Sequence, residues 1–168
     1  MSQPILAISY FFHLVATVVW LGGLLVLSVW VFPEAQRQLH AHPARYQLLN
    51  RLRKRFSPWA NFSLVILIAS GMFQMSADEQ YLGMLDFSNS WSRALLWKHI
   101  AMLGMLVCSL IMQYGLAPRL ERASLLIQHQ QADEAQWERL YRQEVRLAWL
   151  NNFFGFMILG LTAWMTSL

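Results

Sequence analysis

Charge is scarce in this sequence. Asp, Glu, Lys and Arg make up 13% of its 168 residues, where a soluble domain carries about a quarter. Cysteine is scarcer still: the single Cys108 excludes an intrachain disulfide and any multi-cysteine metal motif. There is no glycine-rich phosphate loop, and the acids fall in the connections between apolar runs rather than beside a nucleophile. The usual nucleotide-binding and hydrolase constellations are therefore excluded. The N-terminus also lacks a basic stretch followed by a short apolar one, so the first apolar run is expected to act as its own insertion signal.

Apolar residues are abundant, at 57% of the chain, and the mean hydropathy is +0.35. A chain this short has too much surface for its volume to hide them in its own core, so lipid has to cover the excess. Four runs reach the roughly 20 residues that a bilayer demands, at about 5–32, 58–75, 94–116 and 147–168. All four must be helices, because an open strand leaves backbone groups unpaired in lipid. The expected fold is all-α, a single domain of four transmembrane helices. Ser57-Pro58 reads as the N-cap and first residue of the second helix, and Pro118 as the end of the third.

The net charge of +4 is explained by membrane orientation, without nucleic-acid binding, because the bases gather in two connections. Arg37, Arg45, Arg51, Arg53, Lys54 and Arg55 follow the first run, and Arg119, Arg122, Arg139, Arg142 and Arg146 follow the third. The second connection holds Asp78, Glu79 and Asp86 against Arg93 alone. The positive-inside rule then places both termini outside, in a multi-pass protein of a bacterial inner membrane. Residues 36–56 suggest a short amphipathic helix on the membrane surface. Residues 119–146 suggest a cytoplasmic hairpin extending the third and fourth helices, with Glu138 spaced to pair with Arg142. Residues 76–91 read as a loop with an interfacial stretch around 81–87. Trp30, Trp59, Tyr114 and Trp149 suit the inner interface, and Tyr81 and Trp91 the outer one.

Polar groups within the apolar runs carry the functional signal. His40, His42 and His129 fall in connections and read as solvated. His13 and His99 fall within the first and third runs, both roughly 10–13 Å below the outer ends at 1.5 Å per residue. Two imidazoles at one depth on different helices suit the axial ligands of a haem b, in a slot that a helix bundle can supply. Ala16, Thr17 and Trp20 share the face of His13, with Gly22 and Gly23 below, and Arg93 and Lys98 are candidate partners for propionates. Lys98 would otherwise guide an anionic substrate or snorkel to the headgroups. Met72, Met75, Met84, Met102 and Met105 crowd the same half. Thioether with imidazole suits Cu(I), so copper bound by His13 and His99 with Met102 or Met105 is the alternative. Asn151 and Asn152 are placed to hydrogen-bond across the bundle, and Gly155 and Gly160 offer a face for a homodimer.

His13 followed by Trp20-Leu21-Gly22-Gly23 resembles the opening of the CopD-like (copper resistance protein D) membrane domain. Arg55-Phe56-Ser57-Pro58-Trp59-Ala60 leading to Ser70-Gly71 resembles that family's second helix. Leu95-Leu96-Trp97-Lys98-His99 resembles its third, and Pro118-Arg119-Leu120 the exit from it. The likeness spans about 12–121 and implies a role in copper tolerance or uptake. The architecture is also similar to the haem-containing HemJ-type protoporphyrinogen oxidases, although Leu24-Leu25-Val26-Leu27-Ser28-Val29-Trp30 lacks the Tyr and Arg those proteins carry after the tryptophan. Both resemblances imply a redox or metal site between the first and third helices. The leading expectation is a haem b protein exchanging electrons with quinone or another carrier, which would make it a membrane oxidoreductase. Copper binding or transport is the second expectation, and a non-catalytic subunit docked in a larger membrane complex through its Arg-rich hairpin is the third.

Overall fold

A computed structural model describes residues 3–39, 44–78, 90–129 and 134–167. It contains four helices long and apolar enough to cross a membrane: α1 (Gln3–Gln38), α2 (Ala44–Ala77), α3 (Ser90–Gln128) and α4 (Glu134–Met165). They run up-down-up-down. One end of the bundle carries both termini and is called here the terminal end. The other carries most of the bases and is called the basic end.

Each helix is longer than its apolar run. The 34 residues of α2 extend about 50 Å, against a hydrocarbon core of about 30 Å, so the helices project beyond the lipid at the basic end. The expected start of α2 at Ser57-Pro58 is thereby corrected, since Pro58 lies inside a helix that begins at Ala44. A proline in a helix interior costs about 3 kcal/mol. Here that is outweighed by tertiary anchoring of the turns before it, where Arg45, Tyr46 and Leu49 are buried. The expected surface helix at 36–56 is corrected for the same reason: from residue 44 onward this segment is the first part of α2.

Pro118 does not end α3 either. A π turn, Ile111–Leu116, runs directly into it, and another, Leu27–Val31, runs into Pro33 of α1. In these turns Ala117 N–H donates to Met112 O, and Phe32 N–H to Leu27 O, five residues back. The wider turn lets carbonyls find donors although the proline supplies none. A third π turn, Val18–Gly22, holds Trp20.

The main hydrophobic core lies at the basic end, where all four helices meet. Phe32, Tyr46, Leu49, Leu120, Trp137 and Tyr141 pack there. Trp137 stacks on Tyr141 at 5.0 Å and 12°, and Tyr46 meets Trp137 edge-on at 4.6 Å. Beyond the lipid this core has a hydrophobic driving force that the apolar spans lack among themselves. Ion pairs surround it. Arg53 clamps both oxygens of buried Glu144 at 2.6 Å, Arg45 Nη1 donates to Glu138 Oε1 at 2.7 Å, and Lys54 pairs with Glu121. The expected Glu138–Arg142 pair is corrected: Glu138 reaches across to α2, and Arg142 is exposed.

Within the membrane, small residues and hydrogen bonds replace hydrophobic packing. Asn152 donates to Ser28 Oγ at 2.6 Å and Asn151 to Ser109 Oγ at 3.0 Å, joining α4 to α1 and α3. Gly155 is buried against Leu21 of the same chain, so it is not part of an open dimer face; Gly160 has open space above it. Trp30, Trp59, Tyr114 and Trp149 face outward, as interfacial aromatics do, whereas Trp91 is buried in the bundle. Tyr81 and the interfacial stretch at 81–87 lie outside the described residues. Gly23 makes room on α1 for the Phe56 ring of α2, since a Cβ there would sit 2.3 Å from Phe56 Cε2. Because the Phe56 ring is rigid, Gly23→Ala is expected to destabilise the bundle by about 1–3 kcal/mol, read as a lower denaturation midpoint in detergent.

Candidate intramembrane site

At the terminal end α1 packs along α2, and α3 along α4. His13 is ten residues into α1 and His99 nine residues into α3, about 15 and 14 Å from the helix starts. Both rings are half-buried.

The hydrogen bonds assign the tautomers. Ser70 Oγ donates its one proton to Ile66 O, so in its 2.8 Å contact with His13 Nδ1 it accepts, and Nδ1 carries the hydrogen. His99 Nδ1 lies 2.8 Å from Leu95 O, a pure acceptor, so it too is protonated. Each ring is therefore left with Nε2 as its lone-pair nitrogen, and no hydrogen bond to either Nε2 is found among the described residues. Gly71 lies against the His13 ring, where an added Cβ would make an ordinary 3.6 Å contact with Cε1. Thr17 bonds the His13 backbone carbonyl and leaves the ring free.

Lys98 lies on a seam with Ala94, Ala101, Met105 and Cys108, spaced by alternating fours and threes. The two alanines are 0% exposed, and Met105 and Cys108 are buried. Lys98 thus shares the inward face of α3, and its ammonium acts electrostatically on the His13 ring of α1. Among the described residues no carboxylate pairs with it. His99 stands about 100° away around the helix, on the side of Leu95 and Met102. Met102 is partly exposed.

Other predicted residues lie elsewhere. Trp20 and Ala16 are buried on the His13 face of α1. Arg93 is exposed and donates to Ser90 Oγ in its own first turn, so it is not gathered with the histidines. Met72 is exposed and Met75 half-buried, His129 is exposed at the end of α3, and His40, His42 and Met84 lie outside the described residues. No group of three or more His, Cys, Asp or Glu is placed to hold a metal among the described residues. Any metal here would therefore depend on imidazole and thioether. In the sequence, Ser70-Gly71 stand out only as motif residues. Their place beneath the His13 ring depends on how α1 and α2 pair, which spacing along one helix does not encode.

The family model of copper resistance protein D matches residues 50–165. The chain belongs to the CopD family. Neither a curated protein nor a solved structure matches it. With its four spans it is a multi-pass membrane protein of a copper-resistance family. The CopD match includes Ser70, Lys98, His99, Met102 and Met105, and it begins after His13.

Proposed function

We propose that this CopD-family chain binds Cu(I) within the membrane through Nε2 of His13 and of His99, with the thioether of Met105 or Met102 completing a soft donor set. The observation carrying this reading is that both Nδ1 atoms are committed to protein acceptors, while no hydrogen bond reaches either Nε2 among the described residues. A ligating histidine fixed through its other nitrogen has this same arrangement. Imidazole with thioether suits Cu(I) over harder ions, and the family's association with copper resistance agrees. With the bases facing the cytoplasm of a bacterial inner membrane, the copper would sit in the outer half of the bilayer.

The test is Cu(I) competition against a chromogenic chelator, using purified protein under reducing conditions. Wild type is expected to retain copper, and His13→Ala and His99→Ala each to lose it. Ser70→Ala is expected to weaken binding by about 10–100-fold, as removal of an outer-shell partner does. Equal copper retention by wild type and the double histidine variant would discard the proposal.

Lys98 favours a second reading. An inward ammonium whose charge acts on His13 repels a bare cation but would pair with a carboxylate of a bound porphyrin. In that case the same two Nε2 atoms would hold a haem b, which would supply one-electron chemistry with a quinone or similar carrier. This reading predicts Soret and α bands that vanish in both histidine variants, and it fails if protein made with ample haem carries no porphyrin.

A further inference from the structure

Independently of the copper site, we propose that the groove between the extensions of α3 and α4 binds the phosphate of an anionic phospholipid, with Arg119 and Arg122 as its principal ligands.

At the basic end, the described acids of the hairpin are directed to α2. Glu121, Glu138 and Glu144 pair with Lys54, Arg45 and Arg53, all on α2. The remaining described acid of the hairpin, Glu134, faces Tyr46, also on α2. These acids are thereby all taken by α2, and among the described residues none is left for the arginines elsewhere on the hairpin. Arg119, Arg122, Arg139, Arg142 and Arg146 are all exposed, and no ion pair to any of them is found among the described residues. Arg119 and Arg122 line a groove of about 440 Å³ with Ala123, Leu126, Gln136 and Leu140. Arg139 borders the adjoining surface with Gln136, Leu140 and Gln143.

The height of Arg119, at the end of the groove nearest the membrane, points to a lipid. The exposed Tyr114 and Trp149 mark the membrane boundary on these two helices. Arg119 is five residues past Tyr114, about 7–8 Å along the axis. The polar layer adds roughly 5–8 Å on each side of the hydrocarbon core, so Arg119 stands among the headgroups. Arg122, one turn further, can bend its long side chain back toward them. Guanidinium forks match phosphate oxygens bidentately, and basic recesses between membrane helices are suited to anionic headgroups.

The experiment uses the full chain, delipidated in detergent and incubated with mixed phosphatidylglycerol and phosphatidylcholine. Retained lipids are counted by native mass spectrometry. Wild type is expected to retain phosphatidylglycerol preferentially, and R119Q/R122Q to lose roughly 30-fold of that preference, about fivefold per arginine. R51Q/R55Q, which removes two exposed charges on α2 outside the groove, is expected to keep it. Both pairs are exposed, so folding is checked simply by an unchanged melting transition. Three results would overturn the proposal: no preference in wild type, the same preference in R119Q/R122Q, or an equal loss in R51Q/R55Q. Displacement of the lipid by stoichiometric inorganic phosphate would also overturn it, by assigning the groove to free phosphate.

Discussion

Glu144→Ala is expected to destabilise the fold by about 3–5 kcal/mol, the usual cost of leaving one member of a buried ion pair without its partner. Glu144 is 3% exposed and receives two hydrogen bonds from Arg53, whose third donor goes to Asn50 Oδ1. Without the carboxylate, the Arg53 guanidinium faces the basic-end core with nothing to answer Nε and Nη2. Arg53→Lys should cost less but still register, because a single ammonium cannot reproduce the bidentate fork. The informative comparison is Arg53→Leu with Glu144→Leu together. That pair removes both charges and is expected to recover most of the loss, since apolar replacement of a whole buried pair is often neutral or better. Denaturant titration in a fixed detergent measures all of these, and a loss below about 1 kcal/mol for Glu144→Ala would mean that water reaches the pair and screens it.

That ion-pair cluster is also where the sequence was least legible. Four apolar runs and their helical state follow from composition and from lipid's inability to hydrogen-bond, and the described residues do form four helices long and apolar enough to cross a membrane. The bases between the runs carry two messages at once. As a group they report orientation, and that reading makes each arginine look like a solvated surface charge. Arg45 is instead 2% exposed, lies over the rings of Trp137 and Tyr141 at 4.9 and 5.0 Å, and pairs with a glutamate 93 residues away. Helical spacing offered Glu138 a nearer partner in Arg142. The tertiary contact won because it joins two helices around a core, while an exposed pair within one helix gains only a few tenths of a kcal/mol.

Prolines misled for a related reason. Pro58 and Pro118 are local stop signals, and neither stops its helix. Local propensity is overridden by long-range anchoring at Pro58 and absorbed by a π turn at Pro118. The candidate site was legible in part. His13 and His99 stand out as imidazoles in apolar runs, and their similar depth follows from counting residues. The acceptors for their Nδ1 atoms did not follow so directly. Leu95 lies one turn before His99, but Ser70 lies 57 residues from His13.

Lys98 offers the sharpest division between the two ligand readings, because one substitution moves them in opposite directions. Lys98→Met keeps an unbranched side chain, one heavy atom shorter, and removes its charge. An unpaired ammonium in a helix within the bilayer is unfavourable by about 2.5–3.5 kcal/mol at the membrane centre. Lys98 is eight residues, about 12 Å, into α3, so a gain of about 2 kcal/mol in the stability of the ligand-free protein is expected. Ligand affinity should then separate the chemistries. If the histidines hold Cu(I), removing a like charge that acts on His13 tightens binding, by on the order of 1–2 kcal/mol or about tenfold at an effective dielectric near 20. If they hold a haem whose propionate rests on Lys98, the same substitution removes that anion's partner and weakens binding by at least as much. Chelator competition reads the first and haem retention on dilution reads the second, both on one purified variant. A Lys98→Met protein that is more stable but unchanged toward both ligands would remove this residue from the site, and the haem reading would lose the observation that favours it.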